Sequence, residues 1–294
     1  MFPIHLDLGF TKFHFYEGIY FLIAILTGVL LSARIARKNG INQDDFYSFA
    51  IWVILGAIVG GRVSNYIFWS TDQLLTKPWT IFFVWQGGIS ITGGIGGGIL
   101  AGWIYSRVKK FPFWKLFAMI SPVVLLSQAI GRIGCFLNGD AHGIASSLPW
   151  AVRFPRYGRY FPSFKLDKNY SSFPWTWSYE HNLVTRDTTL SAPLHPTQIY
   201  EMLLDLLLMG FIIFLYKIVK ARNLSYKLIF FAHVGIYSFY RFFLEFIRAD
   251  RTGITAIGIS YMQFVLAGIF LLSVFFSIFL LVRKPKAGSV KTIQ

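Results

Sequence analysis

The chain is short of cysteine, of acid and of charge altogether. One cysteine in 294 residues excludes an internal disulfide and leaves the redox compartment open. Charged residues make up 14% of the chain against 55% hydrophobic, and the mean hydropathy is +0.54. So little charge on so apolar a chain excludes an ordinary soluble domain and points to a polytopic membrane protein. No basic stretch precedes the first apolar segment; Arg34, Arg37 and Lys38 follow it, so it reads as a first span and not as a cleaved signal peptide. No internal repeat is present, which argues against a transporter built of matched halves. The glycines of QGGISITGGIGGG lack a GK-(S/T) ending and fall inside an apolar run, which excludes a soluble phosphate loop.

What is present is base and aromatic. Twenty-eight lysines and arginines against thirteen acids give a net charge of +15, and 19% of residues are aromatic. In a membrane chain that excess reads as positive loops and anionic lipid, so no nucleic-acid partner is expected. Seven segments are long enough to cross a hydrocarbon core, roughly 18–36, 46–69, 88–108, 114–131, 199–219, 228–247 and 259–282. Basic clusters follow the first, third and seventh segments (Arg34, Arg37, Lys38; Arg107, Lys109, Lys110; Arg283, Lys284, Lys286). Another, Lys217, Lys220, Arg222 and Lys227, links the fifth and sixth. All fall on one side if the N-terminus is outside and the C-terminus cytoplasmic. The fold expected is all-α: one integral membrane domain over residues 1–294, with seven transmembrane helices and an external arm or cap at 143–195 between spans four and five. That insertion interleaves Arg153, Arg156, Arg159, Lys165 and Lys168 with aromatic residues and prolines. It is long for a plain connection and reads as functional. Gly94, Gly98 and Gly102, like Gly56 and Gly60, have the spacing of close helix packing in lipid.

Polar residues inside the spans gather at one depth. At 1.5 Å per residue, Arg132 lies ~26 Å from Lys115, Arg62 ~26 Å from Asp45, Arg241 ~21 Å from Lys227 and Thr92 ~26 Å from Lys109. Three arginines and a hydroxyl thus reach the outer third of the bilayer on four helices. Arg241, Glu245 and Arg248 form one stripe on the sixth span; Glu201 and Asp205 share a face of the fifth. A transport path would spread such groups through the membrane. A single level suits phosphate headgroups, which arginine binds through a planar fork of donors. The competing reading is a set of ion pairs that only hold helices together.

The stretch GRIGCFLNGDAHG, 131–143, closes the fourth span with Arg132, Asn138, Asp140, His142 and Gly143. It resembles the signature of bacterial prolipoprotein diacylglyceryl transferases, GR-x-G-N-F-x-N-x-E-x-x-G. Other pieces resemble the same family in the same order. HFYEGIYFL, from His14, is similar to the first-span tyrosine–glycine motif and contributes Tyr16. GGRVSNYIF, from Gly60, is similar to a glycine–arginine motif and contributes Arg62. VWQGGISITGG, from Val84, is similar to the third-span glycine motif and contributes Thr92, Gly93 and Gly94. HPTQIYE, from His195, is close to HP-(S/T)-Q-(L/I)-YE and contributes Gln198, Tyr200 and Glu201. YRFFLEFIRAD, from Tyr240, is similar to R-x-x-x-E-x-x-R-x-x-D with one residue fewer before the aspartate.

The resemblance implies an activity: the diacylglyceryl group of phosphatidylglycerol passes to the lipobox cysteine of a prolipoprotein in the bacterial inner membrane, and glycerol phosphate leaves. It implies no metal and no diffusible cofactor, and as partners phosphatidylglycerol, membrane lipid and the prolipoprotein signal peptide. It implies phosphate binding by Arg132 and Arg241. The pattern departs where a base is expected. Thr92 stands in place of the family's third-span histidine, Cys135 in place of the first asparagine, Asp140 in place of the glutamate, and Gln86 where some members carry an acid. Candidate replacements for the base are His142 and His195, with His14 behind them; His233, nearer the cytoplasm, reads as structural. Cys135 reads as a small buried hydrophobe. Two other readings stay open: a non-catalytic member that binds phospholipid or lipoprotein signal regions, and another lipid-headgroup transferase or transporter.

Overall fold

The computed structural model describes residues 4–7, 12–68, 76–83, 90–160, 166–251, 253 and 255–282. Gln86, Gly87 and Gly88 of the glycine motif lie outside that set, as do Arg283, Lys284 and Lys286. The side chains of Thr92 and His14 are outside it too. Eight α-helices run through the described residues: α1 (Phe15–Lys38), α2 (Gln43–Phe68), α3 (Ile91–Val108), α4 (Phe113–Asn138), α5 (Phe173–Glu180), α6 (Thr197–Ala221), α7 (Lys227–Phe246) and α8 (Tyr261–Val282). Six of them, α1, α2, α4, α6, α7 and α8, are long and apolar enough to cross a membrane. The helix expected as a third span, α3, is 18 residues long, with six glycines, and is not among those six. Large apolar side chains such as Leu207, Phe275 and Phe279 are exposed on these helices. In water such a surface would be costly; against lipid it is the solvated one.

The chain divides into two compact units whose boundaries fall inside α1 and α4. One unit holds residues 7–12 and 26–120, with α2 and α3 as its centre. Glycine makes their contact possible. A Cβ on Gly60 would lie 2.5 Å from the Gly93 carbonyl oxygen and 2.7 Å from the Gly97 Cα. Only hydrogen fits there, and the two backbones meet directly. Ser90 caps α3, its hydroxyl accepting from the Gly93 N–H at 3.3 Å. Asp44 and Asp45 sit in the first turn of α2, where the helix dipole favours negative charge.

The other unit holds residues 121–294 with 1–6 and 13–25. Here α6, α7 and α8 pack in sequence, and α7 lies against α8 through Gly235 at Ser273 and stacked Phe231 and Phe276. Ser121 on α4 meets the His233 Nδ1 on α7 at 2.5 Å, both buried. The sequence reading expected no strands, yet a four-stranded sheet is present. Strands β1 (Ile4–Asp7), β2 (Lys12–His14), β3 (Tyr157–Tyr160) and β4 (Leu166–Ser171) stand in the order β2-β1-β3-β4. β1 and β3 pair parallel, with Ile4 opposite Arg159. That pairing joins segments about 155 residues apart, so no local pattern announces it. Phe154, Ala192 and Leu194 form a small core with Phe136 and Trp177.

Candidate functional site

Three distant sequence motifs are laced together by backbone bonds at the end of α4. The Gly143 N–H donates to the His195 carbonyl at 2.9 Å, and His195 N–H donates to Ile144 at 3.0 Å. Ile144 N–H donates to Ile247, and Ala249 N–H to His142. The crossing requires glycine at 143: a Cβ there would lie 2.6 Å from the His195 Cβ and 2.7 Å from the Ile247 oxygen. Side chains add to the lacing. Gln198 Nε2 donates to the Asp140 carbonyl at 2.6 Å, Thr197 Oγ1 to Ala141 at 2.6 Å, and Asn138 Nδ2 to Asp140 Oδ2 at 2.5 Å. The sequence groups GRIGCFLNGDAHG, HPTQIYE and RFFLEFIRAD are therefore one structural object.

At its centre is a single buried carboxylate. Glu201 on α6 has one oxygen 2.5 Å from Arg132 Nη2 of α4 and 3.9 Å from Arg241 Nε of α7, and the other 3.6 Å from Arg248 Nη1 just past α7. Tyr237 adds a hydroxyl at 3.4 Å. Arg241 Nη1 is also 2.6 Å from Glu245 Oε2, four residues along, in an ion pair that falls outside hydrogen-bond geometry. Arg248 holds Asp250 through both oxygens, Nε to Oδ1 at 2.8 Å. Three guanidiniums thus face three carboxylates, which is far more stable in a buried place than any of them alone.

Pairing does not use up the arginines. A guanidinium carries five N–H donors. Among the described residues Arg132 makes one hydrogen bond, to Glu201, and its side chain keeps 16% of its surface open. Arg241 keeps 14%. Glu201 orients the forks, and the donors that have no partner among the described residues can take a second anion. One turn either side of Glu201 on α6, Gln198 Oε1 and Asp205 Oδ2 are buried acceptors with no hydrogen-bond partner among the described residues; Asp205 Oδ1 accepts from Tyr240 at 2.5 Å.

The candidate bases flank this cluster. His142 is buried, its Nδ1 3.1 Å from the Gly143 carbonyl and its ring against Trp177. Burial pushes its pKa below the usual value; the Gly143 carbonyl and Asp250 push the other way without cancelling it, while Arg248 adds to the depression. A neutral ring that donates from Nδ1 leaves Nε2 as an acceptor. His195 is half-buried with Nδ1 3.3 Å from the Tyr200 hydroxyl, and burial lowers its pKa also. Asp250, with its Arg248 partner overcoming the cost of burial, is held below the usual carboxylate range.

The remaining sequence-predicted residues have their own surroundings. Arg62 is buried and belongs to the α2–α3 unit. Its Nε donates to Ile81 at 3.0 Å and its Nη2 to Thr80 and Phe83, each at 2.8 Å, while its guanidinium lies 4.9 Å over the Tyr66 ring. These are the last carbonyls of a short 3-10 turn, Pro78–Phe82. Gly93 and Gly94 serve the packing of α3 on α2. Tyr16 is half-buried in the first turn of α1. Sequence reasoning passed over Asp250, Tyr237 and Thr197. The RAD triplet that ends the last motif was the available signal for Asp250.

Comparison with known proteins identifies the family of the chain. The family model for prolipoprotein diacylglyceryl transferase matches residues 3–280. Relatives named phosphatidylglycerol--prolipoprotein diacylglyceryl transferase include one from Fusobacterium nucleatum, 31% identical over 84% of this chain and 88% of its own. Another, from Trichormus variabilis, is 30% identical over 84% and 79%, and one from Geobacter sulfurreducens is 28% identical over 97% of both. On these matches the chain belongs to the prolipoprotein diacylglyceryl transferase family.

Proposed function

We propose that this protein transfers the diacylglyceryl group of phosphatidylglycerol to the lipobox cysteine of prolipoproteins in the bacterial cytoplasmic membrane. The observation that carries the reading is Glu201 holding Arg132, Arg241 and Arg248 in one place, with donors left over on the first two. The thiolate sulfur attacks the glyceryl carbon that bears the phosphate; the carbon–sulfur bond forms, the carbon–oxygen bond breaks, and glycerol phosphate leaves. Negative charge grows on the departing phosphate, and Arg132 and Arg241 are placed to stabilise it. Arg248, Glu201 and Glu245 position them, and Asn138, Asp140, Gly143, Gln198 and Tyr200 hold the surrounding loop.

The thiol must lose its proton, since a free thiol has a pKa of about 8.5. His142 takes that role in this reading, because its Nδ1 faces the Gly143 carbonyl and leaves Nε2 as an acceptor. His195 is second, and Thr92 supplies at most a hydroxyl. The topology that serves this chemistry has seven spans, with α3 as the third. The N-terminus is outside, the C-terminus cytoplasmic, and segment 143–195 forms an external arm that meets the translocated peptide.

A second reading, phospholipid binding without transfer, is favoured by Thr92 in the histidine position and by the balance of carboxylates against arginines. Purified protein in phosphatidylglycerol vesicles with a lipobox peptide separates the two. Transfer adds the mass of a diacylglyceryl group to the peptide cysteine. Absence of that gain in wild type, with its appearance in Thr92→His, makes the binding reading correct.

A further inference from the structure

The segment from Ile144 to Val152 carries no charged residue, although the next seven residues hold three arginines. It leaves and rejoins a narrow ladder. Ala145 and Val152 both bridge to Leu194, so the six residues between them project as a loop. Ser146 N–H donates to the Pro193 carbonyl and Ala151 N–H to Leu148, which closes the tip into a turn. That tip is Ser147-Leu148-Pro149-Trp150, and all four residues are exposed, Trp150 at 57%. In water an exposed Leu-Pro-Trp turn has no driving force to stay ordered and apolar.

Its depth is set by one hydrogen bond. Trp150 Nε1 donates to the Tyr200 hydroxyl at 2.7 Å. Tyr200 is in the first turn of α6, where that candidate span begins. Below it on the same helix, Leu203, Leu207, Phe211 and Phe214 follow at steps of three and four residues, all exposed, Leu207 at 70%. That spacing is one face of a helix, and on a span an exposed apolar face meets lipid. The loop tip therefore stands on top of a lipid-facing stripe, joined to it through Tyr200. Indole and phenol together at the end of an apolar stripe are the pair that settles at the membrane–water boundary, ring in the apolar zone and polar atom satisfied.

We propose that the Leu148–Trp150 turn is an interfacial anchor that dips into the leaflet at the Thr197 end of α6 and ties segment 143–195 to the bilayer surface. The occupant of this apolar patch is lipid, because the patch continues a surface that lipid already covers. The proposal rests on the membrane reading of α6 and is independent of the reaction.

The test places an environment-sensitive fluorophore on the full chain in phosphatidylglycerol–phosphatidylcholine vesicles. In a Cys135→Ala background, single cysteines replace Leu148, Leu183 and Leu207. Leu183 is an exposed residue after α5, and Leu207 is the lipid-facing reference. The label at 148 is expected to be shielded from aqueous iodide about threefold or more relative to 183. It is also expected to be quenched more by a nitroxide near the lipid headgroup than by one deep in the chains, with the order reversed at 207. Equal iodide access at 148 and 183, with no nitroxide quenching at 148 while 207 is quenched, overturns the anchor. A label-free measurement guards against a perturbed variant: Trp150→Phe should remove a lipid-quenched component from the emission of the nine tryptophans. Unchanged quenching of that variant by brominated lipid overturns the proposal equally.

Discussion

Arg62 and Arg132 stand in different units, yet each sits about 26 Å along its helix from the charged end. By depth alone they are the same residue twice. Their surroundings separate them. Arg62 gives its donors to three backbone carbonyls and its face to Tyr66. Those three carbonyls are neutral and belong to one turn and its cap. Among the described residues Arg132 gives one donor to a carboxylate that two other arginines share, and its side chain keeps 16% of its surface exposed. A guanidinium on carbonyls is a brace. A guanidinium held by a shared carboxylate, with donors to spare, is what the proposed function uses to take a second anion.

Conservative substitution breaks or sharpens that contrast. Arg132→Lys and Arg241→Lys retain charge and lose the fork, and each should cost on the order of 10²–10³ in the rate of diacylglyceryl transfer. Arg62→Lys should act on folding instead, through carbonyls left without donors, at about 1–3 kcal/mol. Transfer rates at matched protein amounts, beside thermal midpoints, show which quantity each variant moves. The comparison fails if Arg62→Lys removes transfer at unchanged stability.

Glu201→Gln comes next. It leaves three arginines around a neutral amide, and loss of one partner from a buried ionic group costs about 3–5 kcal/mol. A thermal midpoint equal to wild type would show that the arginines do not need their mount. In the other unit the matching test is Gly97→Ala, since a Cβ there would meet Gly60 Cα at 2.8 Å. Overpacking of that kind costs about 1–3 kcal/mol, again read as a lowered midpoint.

The smallest effect is a pH dependence. Burial holds the His142 ring below its usual value, so the folded form is neutral. As pH falls, the unfolded chain protonates first, near pH 6.5, and stability is lost from there downward until the folded ring itself takes a proton. The groups that face it act in both directions, Asp250 and Asp140 against the depression and Arg248 with it. The midpoint of wild type should drop more between pH 7.5 and 5.5 than that of His142→Gln. Equal drops would place the titration elsewhere.

The shared level of Arg132, Arg241 and Glu201 was legible because helix rise converts spacing into depth, and four-residue spacing into a common face. Glu201 as the hub was not legible, since depth says nothing of which side chain meets which. The sheet was hidden because β1 and β3 are remote in sequence and short. The glycine spacing of α2 and α3 was legible as close packing, and a Cβ on Gly60 would meet Gly93 and Gly97 directly. Trp150 and Tyr200 were separately visible as aromatics, but only the fold shows that one hydroxyl joins them.

The central claim is that the arginine cluster around Glu201 binds the phosphate of a lipid whose diacylglyceryl group then moves to a thiol. The most direct measurement is mass spectrometry of a lipobox peptide after incubation with purified wild type and Arg132→Lys in phosphatidylglycerol vesicles. The account predicts a diacylglyceryl adduct on the peptide cysteine with wild type and a rate about 10²-fold lower or worse with the lysine variant. Equal adduct formation by both proteins would contradict it.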